Sequence, residues 1–123
     1  MAYVQTVAGN DGVPDFADGV GTTASFNCPS GLAIDGEGTL YVADHKNNRI
    51  RKVSQSGAVT TLAGSGDNDF ADGVGAAASF AYPDSLAIDG EGTLYVADRE
   101  NHCIRKVSPS GAVTTLAGSG DPG

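Results

Sequence analysis

The residues with the most chemistry in them are carboxylates and two histidines. Asp67-Asn-Asp69-Phe-Ala-Asp72-Gly73 spaces its acids in a way that hints at a calcium loop. A calcium loop needs a fuller oxygen set with a late bidentate Glu, and none follows at that spacing. The corresponding acids upstream, Asp11, Asp15 and Asp18, are spaced differently. Asp and Asn also hydrogen-bond their own backbone in loops, and that reading is favoured over a metal. His45 and His102 sit beside Lys46 and Cys103, in different contexts, so no symmetric histidine pair exists to share an ion, and both are expected to be solvated turn residues. For nucleophilic catalysis, Gly64-Ser-Gly66 lacks the Gly-x-Ser-x-Gly pattern of a strained nucleophile turn. It also lacks the lysine of a phosphate loop. No catalytic residue, metal or cofactor is expected. Asp35-Gly36-Glu37-Gly38 reads as a turn.

The elements that position these groups come from a repeat. Leu32-Ala-Ile-Asp-Gly-Glu-Gly-Thr-Leu-Tyr-Val-Ala-Asp44 returns unchanged as Leu86 to Asp98. Setting 16–67 against 70–121 needs no gap, and only positions 22, 23, 27, 28, 30, 31, 45, 46, 48, 49 and 55 differ. Divergence this low means recent duplication or design. A helix over the shared block is disfavoured, because each interior glycine would cost about 1 kcal/mol against alanine. Within one period the short apolar runs and tight turns predict four antiparallel strands, at 31–35, 39–43, 48–54 and 58–63. The connection from Gly64 to Pro83 is expected to contain a helical turn at 76–80, packed down by Phe70 and Phe80. Val4-Gln-Thr-Val-Ala-Gly9 matches Val59 to Gly64, which predicts a lone outermost strand at the N-terminus.

Composition narrows the function. The formal charge is −8, from 15 acidic and 7 basic residues. That balance argues against nucleic acid, whose binding leans on Lys and Arg, and against an anionic membrane surface. No apolar run reaches the ~18 residues of a membrane helix, and Met-Ala-Tyr-Val-Gln has neither the basic nor the apolar part of a signal peptide. The compartment is unreadable. Cys28 and Cys103 occupy non-equivalent repeat positions and are expected to be free thiols.

A four-stranded meander apolar on both faces wants neighbours on both sides, which a propeller ring supplies. The pattern Phe-Ala-Asp-Gly-x-Gly, Ala-Ser-Phe-x-x-Pro, Leu-Ala-Ile-Asp, Leu-Tyr-Val-Ala-Asp and Asn-x-x-Ile-Arg-Lys-Val resembles the NHL repeat, in the long-loop variety of teneurin-like and bacterial surface propellers. The resemblance covers nearly the whole chain in two copies. It implies an all-β chain of two blades, 10–64 and 65–123, preceded by the extra strand at 1–9. NHL propellers typically have six blades, with the Leu-Ala-Ile-Asp strand innermost. It further implies that Asp44 braces the turn at Asn47, with Arg49 packed between blades, and Asp98 and Asn101 in the same places. Cys103 stands where Arg49 does, which removes the guanidinium from the second copy.

Two blades cannot close a ring, so the end blades would leave apolar faces in water. Three copies head to tail would make six blades, and a homotrimer is expected, with dimeric and tetrameric rings as alternatives. The expected role is scaffold or protein interaction. The alternatives are part of a propeller hydrolase or lyase with a metal in its channel, or an inert piece of a larger repeat protein. Strand alternation places the entry loops and the 44–48 and 98–102 turns on one face. Asp15, Asp18, Asp69 and Asp72, with Asp11, Asp67, Asp44 and Asp98, would form an acidic rim there, able to attract a basic protein or peptide.

Overall fold

The computed structural model describes residues 4–10 and 15–118. Two antiparallel sheets of five strands account for both repeats. The first contains β1 (Gly19–Val20), β2 (Pro29–Ile34), β3 (Leu40–Asp44), β4 (Arg49–Val53) and β5 (Ala58–Ala63), in the order β1-β5-β4-β3-β2. The second repeats it with β6 (Gly73–Val74), β7 (Pro83–Ile88), β8 (Leu94–Asp98), β9 (Cys103–Val107) and β10 (Ala112–Ala117). Turn chemistry dictates the meander. Asp35 Oδ1 accepts the amides of Glu37 and Thr39 at 2.9 and 3.0 Å, and Gly38 takes a φ of 84°, so the chain reverses within four residues. Asn48 caps the next turn in the left-handed region, at φ 53°.

The four predicted strands of each blade are present, with ends moved by one or two residues. Pro29 lies inside β2 rather than ahead of it. It is placed opposite Asp44 across a register shift, where its missing N–H costs the ladder little. The fifth strand is not the predicted N-terminal one. It is β1, a two-residue pair onto β5 supplied by the entry loop, and residues 4–8 belong to no strand. Their sequence matches β5, but β5 has β4 beside it, and residues 4–8 pair with no strand among the described residues. The expected helical turn is a short 3-10 segment at Gly75–Ala77. Of the two packing aromatics, Phe80 is fully buried and Phe70 is 45% exposed.

The core lies between the blades. Tyr41, Ala43, Ile50 and Ala63 on one face of the first sheet meet Phe80, Leu94, Val96, Val107 and Val113. Blade 2's entry loop is therefore clamped between the two sheets. The other face of blade 1 carries Leu40, Val42, Val53 and Val59, covered by Ala24 and Phe26 of its own entry loop and by Ala8. Among the described residues no helix is long and apolar enough to cross a membrane.

Candidate functional site

Each blade holds its entry loop with one buried guanidinium. Arg51, on the β4 face opposite Ile50, donates through Nη1 to Asp44 Oδ2 at 2.7 Å and to the Ser25 carbonyl at 2.8 Å. Its Nη2 reaches the Ala17 carbonyl at 2.7 Å and Asp18 Oδ1 at 2.9 Å. The group also lies over the rings of Phe16 and Phe26, 4.7 and 4.9 Å from their centroids. Arg105 repeats the arrangement with Asp98, Ser79, Ala71 and Asp72. Both arginines and both inner aspartates are buried, so these are desolvated pairs; loop carbonyls and the outer aspartates take the other terminal N–H groups, while the buried Nε of each arginine has no hydrogen-bond partner among the described residues.

Asp44 is thus the hub of a network. Its Oδ1 accepts the Asn27 amide at 2.8 Å, and its Oδ2 accepts Asn47 Nδ2 at 2.8 Å as well as Arg51. Asn47 Nδ2 also reaches the Asp15 carbonyl at 2.7 Å. The turn and the entry loop are therefore stitched together, and Asp98 and Asn101 do the same through Ala81 and Asp69. Arg49 stacks on Phe16 at 3.6 Å and donates to the Ser65 carbonyl at 3.2 Å, joining its own entry loop to the connection leading into blade 2. Arg51 and Arg105 are not among the expected site residues: in Ile-Arg-Lys-Val the adjacent Arg and Lys fall on opposite faces of the strand, and nothing local marks which of them is covered. Their signal was present: both arginines and both partner aspartates are the same in the two copies, while position 49 changes.

This network changes the acidic rim. Asp44 and Asp98 are buried and paired, so they leave it. Asp18 and Asp72 remain about half exposed but share the arginine charge. Asp15 and Asp69 are exposed, and each accepts the amide of the following phenylalanine at 2.8 Å. Asp11 lies outside the described residues. Among the described residues no group of three or more His, Cys, Asp or Glu is placed to hold a metal.

The histidines differ from expectation in one case. His45 is at the junction between blades, with Nδ1 3.1 Å from the Pro83 carbonyl and its ring 5.2 Å from that of Tyr82. His102 is an exposed left-handed cap. Both cysteines are free, Cys28 exposed and Cys103 buried. Burial raises the Cys103 thiol pKa, and the nearby Asp98 carboxylate pushes in the same direction.

The inner strands come close together. Ser30 Oγ donates to the Asp84 carbonyl at 2.8 Å, and Asn48 Oδ1 accepts the Tyr82 amide at 2.8 Å. A Cβ on Gly31 would stand 2.8 Å from the Asp84 carbonyl and from the Ser85 Cα, so the junction requires glycine there. The equivalent residue of blade 2 is Ser85, and Asp84 replaces Ser30. Blade 2 also presents Ile104, 39% exposed, and Leu116, 56% exposed, on the face whose counterpart in blade 1 is covered.

Two meander sheets packed face to face with clamped entry loops are two blades of an NHL-type β-propeller. Comparison with known proteins agrees. The model of the SMP-30/Gluconolactonase/LRE-like region matches residues 22–117, and the chain belongs to that family. It is 40% identical over 92 residues to human NHL repeat-containing protein 2, covering 72% of this chain and 13% of that protein. Human teneurin-4 is 36% identical over 101 residues, covering 67% and 4%. Among solved structures, an auxiliary nutrient binding protein from Bacteroides thetaiotaomicron superposes with a TM-score of 0.69 at 30% identity, over 89% of this chain and 28% of that one. The chain therefore spans only a small part of the length of these relatives.

Proposed function

We propose that the chain is a non-catalytic propeller segment that works by associating with its own kind, as a scaffold or protein-interaction module. The observation that carries this is the uncovered face of blade 2. Ile50 is fully buried against the next blade, whereas its counterpart Ile104 is 39% exposed. The surface that would cover it is blade 1 of a second copy, because blade 2 already covers the matching face within the chain. Repeated head to tail, three copies complete six blades.

The junction between copies would differ from the internal one at its inner edge. Ser85 would face the second copy's glycine-bearing strand where Gly31 now meets β7, so the inner strands must stand further apart there. On blade 1 the matching open face carries Leu32 and Ile34, 65% and 59% exposed, whose counterparts Leu86 and Ile88 pack against the core between the blades. The acidic face, reduced to Asp15, Asp67, Asp69 and the half-paired Asp18 and Asp72, is proposed as the site for a basic peptide ligand. Salt-sensitive capture of basic peptides would support that part, and no capture at low salt would remove it.

Mass in solution tests the main reading. A species three times the 12.3 kDa chain is expected, and Ile104→Asp should return it to monomer. A wild-type monomer that stays folded and does not associate at high concentration would refute the reading.

A further inference from the structure

Residues 4–9 sit on blade 1 as β5 sits on blade 2. The Gly64 amide donates to the Gly75 carbonyl at 3.1 Å, and the Gly9 amide donates to the Gly21 carbonyl at the same distance. The Leu62 carbonyl approaches Gly111 so closely that a Cβ there would lie 2.7 Å away, and Val7 approaches Gly57 in the same way, at 3.0 Å. Residues 4–9 thus occupy the seat of a preceding blade's outermost strand. Between this segment and β2–β4 lies an apolar groove of about 350 Å³ lined by Val7, Phe26, Leu32, Leu40, Val42 and Val53.

A second copy docking blade 2 onto this face would bring its own outermost strand. In β10 and the residue after it, Leu116 and Gly118 are the repeat counterparts of Leu62 and Gly64, so they would claim the same seat. Two segments cannot fill it, and they are held unequally. β10 pairs with both β9 and β6, buries Val113 and ties Thr115 to Asp72 at 2.9 Å. Residues 4–8 pair with no strand, and Val4 is 99% exposed. The weaker holder leaves.

We propose that residues 4–9 are a built-in competitor, covering the docking surface of blade 1 until the β10 edge of a second copy displaces them. This rests on the self-association reading above. A segment that must vacate a site lowers the apparent affinity by the fraction of time it occupies it.

Sedimentation equilibrium on the full chain and on two variants tests it. Ala8→Asp disrupts the seat without shortening the chain. Deletion of residues 1–8 removes the competitor and guards against a folding defect in the substitution. Circular dichroism confirms the fold of each. Both variants should associate about tenfold more tightly than wild type, and excess free peptide of residues 2–10 should reverse the gain in the deletion variant. Weaker association in both variants, restored by the peptide, would overturn the proposal: the segment would then complete the neighbour's sheet in place of β10. Unchanged association would also overturn it. If wild type and variants all remain monomeric, the ring reading itself fails and this proposal with it.

Discussion

Two nearly identical blades have different surroundings, and the molecule can be read from that difference. In blade 1, Tyr41, Ala43, Ile50 and Ala63 are all buried, because blade 2 and its entry loop lie over them. In blade 2 the same residue types recur as Tyr95, Ala97, Ile104 and Ala117, and none of them is buried. On the opposite faces the contrast reverses. Phe80 is fully buried while Phe26 is only partly so, and Leu86 is half-buried while Leu32 is 65% exposed. Identical strands thus become core or surface by position alone. Local sequence sets the meander, and only neighbours decide which of its faces see water.

The buried arginines are the part of each blade that should not feel this difference, since their partners come from the same repeat. Arg51→Ala and Arg105→Ala each leave a buried aspartate unpaired, and each should cost about 3–5 kcal/mol in urea unfolding. Equal losses are expected despite unequal cover. A much smaller loss at Arg51 would mean that blade 1's entry loop depends on contacts from outside its own repeat for its order.

Next in size is the apolar face. Ile50→Ala should cost about 2–5 kcal/mol, as a large-to-small change in a packed core. Ile104→Ala at the same repeat position should stay within about 1 kcal/mol in the monomer. Comparable losses at low concentration would show that the outer face of blade 2 is covered within one chain, removing the basis of the self-association reading.

The inner strands sharpen the contrast further. Gly31→Ser places a Cβ against the β7 backbone and should destabilise the chain by about 1–3 kcal/mol, the range for overpacking. Ser85→Gly relieves the same clash at the proposed junction between copies. It should tighten association, read by sedimentation, while costing about 0.5–1 kcal/mol of strand propensity in the monomer. No change in association would mean that the copies do not meet along their inner strands.

Much of this architecture was legible because the chain states its unit twice. Asp-Gly-Glu-Gly fixed the hairpin, and the exact return of Leu32 to Asp44 as Leu86 to Asp98 fixed the period. The least legible features depend on contacts distant in sequence. Arg51 is surrounded by charged and apolar neighbours typical of a half-solvated strand. Its burial follows only once the loop carrying Asp18, 33 residues away, is folded over it. The strand propensity of Val4–Ala8 is real, but a strand needs a partner to pair with. β1 was invisible for the opposite reason: two residues, Gly19 and Val20, form a strand only because β5 passes beside them.

The smallest effect concerns the inner turns, where the blades are again alike in sequence and unlike in cover. The Asp35 carboxyl titrates below its ordinary value of 3.8, chiefly because the Thr39 amide donates to its charged form, with the Glu37 amide and Tyr41 hydroxyl adding to this. Asp89 is lowered too, first by the Glu91 amide and then by that of Thr93. A carboxyl whose folded pKa is depressed contributes stability that is complete above its unfolded pKa and fades as pH falls through the folded one. Both turns should therefore loosen only on the acid side, below about pH 4. Carbon-13 NMR titration of the two carboxyls should find each below 3.8, and Asp35→Asn with Asp89→Asn should flatten the acid limb of stability. Because both groups are open to solvent the change will be modest. An Asp89 shift much weaker than that of Asp35 would show that the Tyr41 side of the turn owes its order to the neighbouring blade, whereas matching shifts would place the whole effect in the hydrogen bonds of the turn itself.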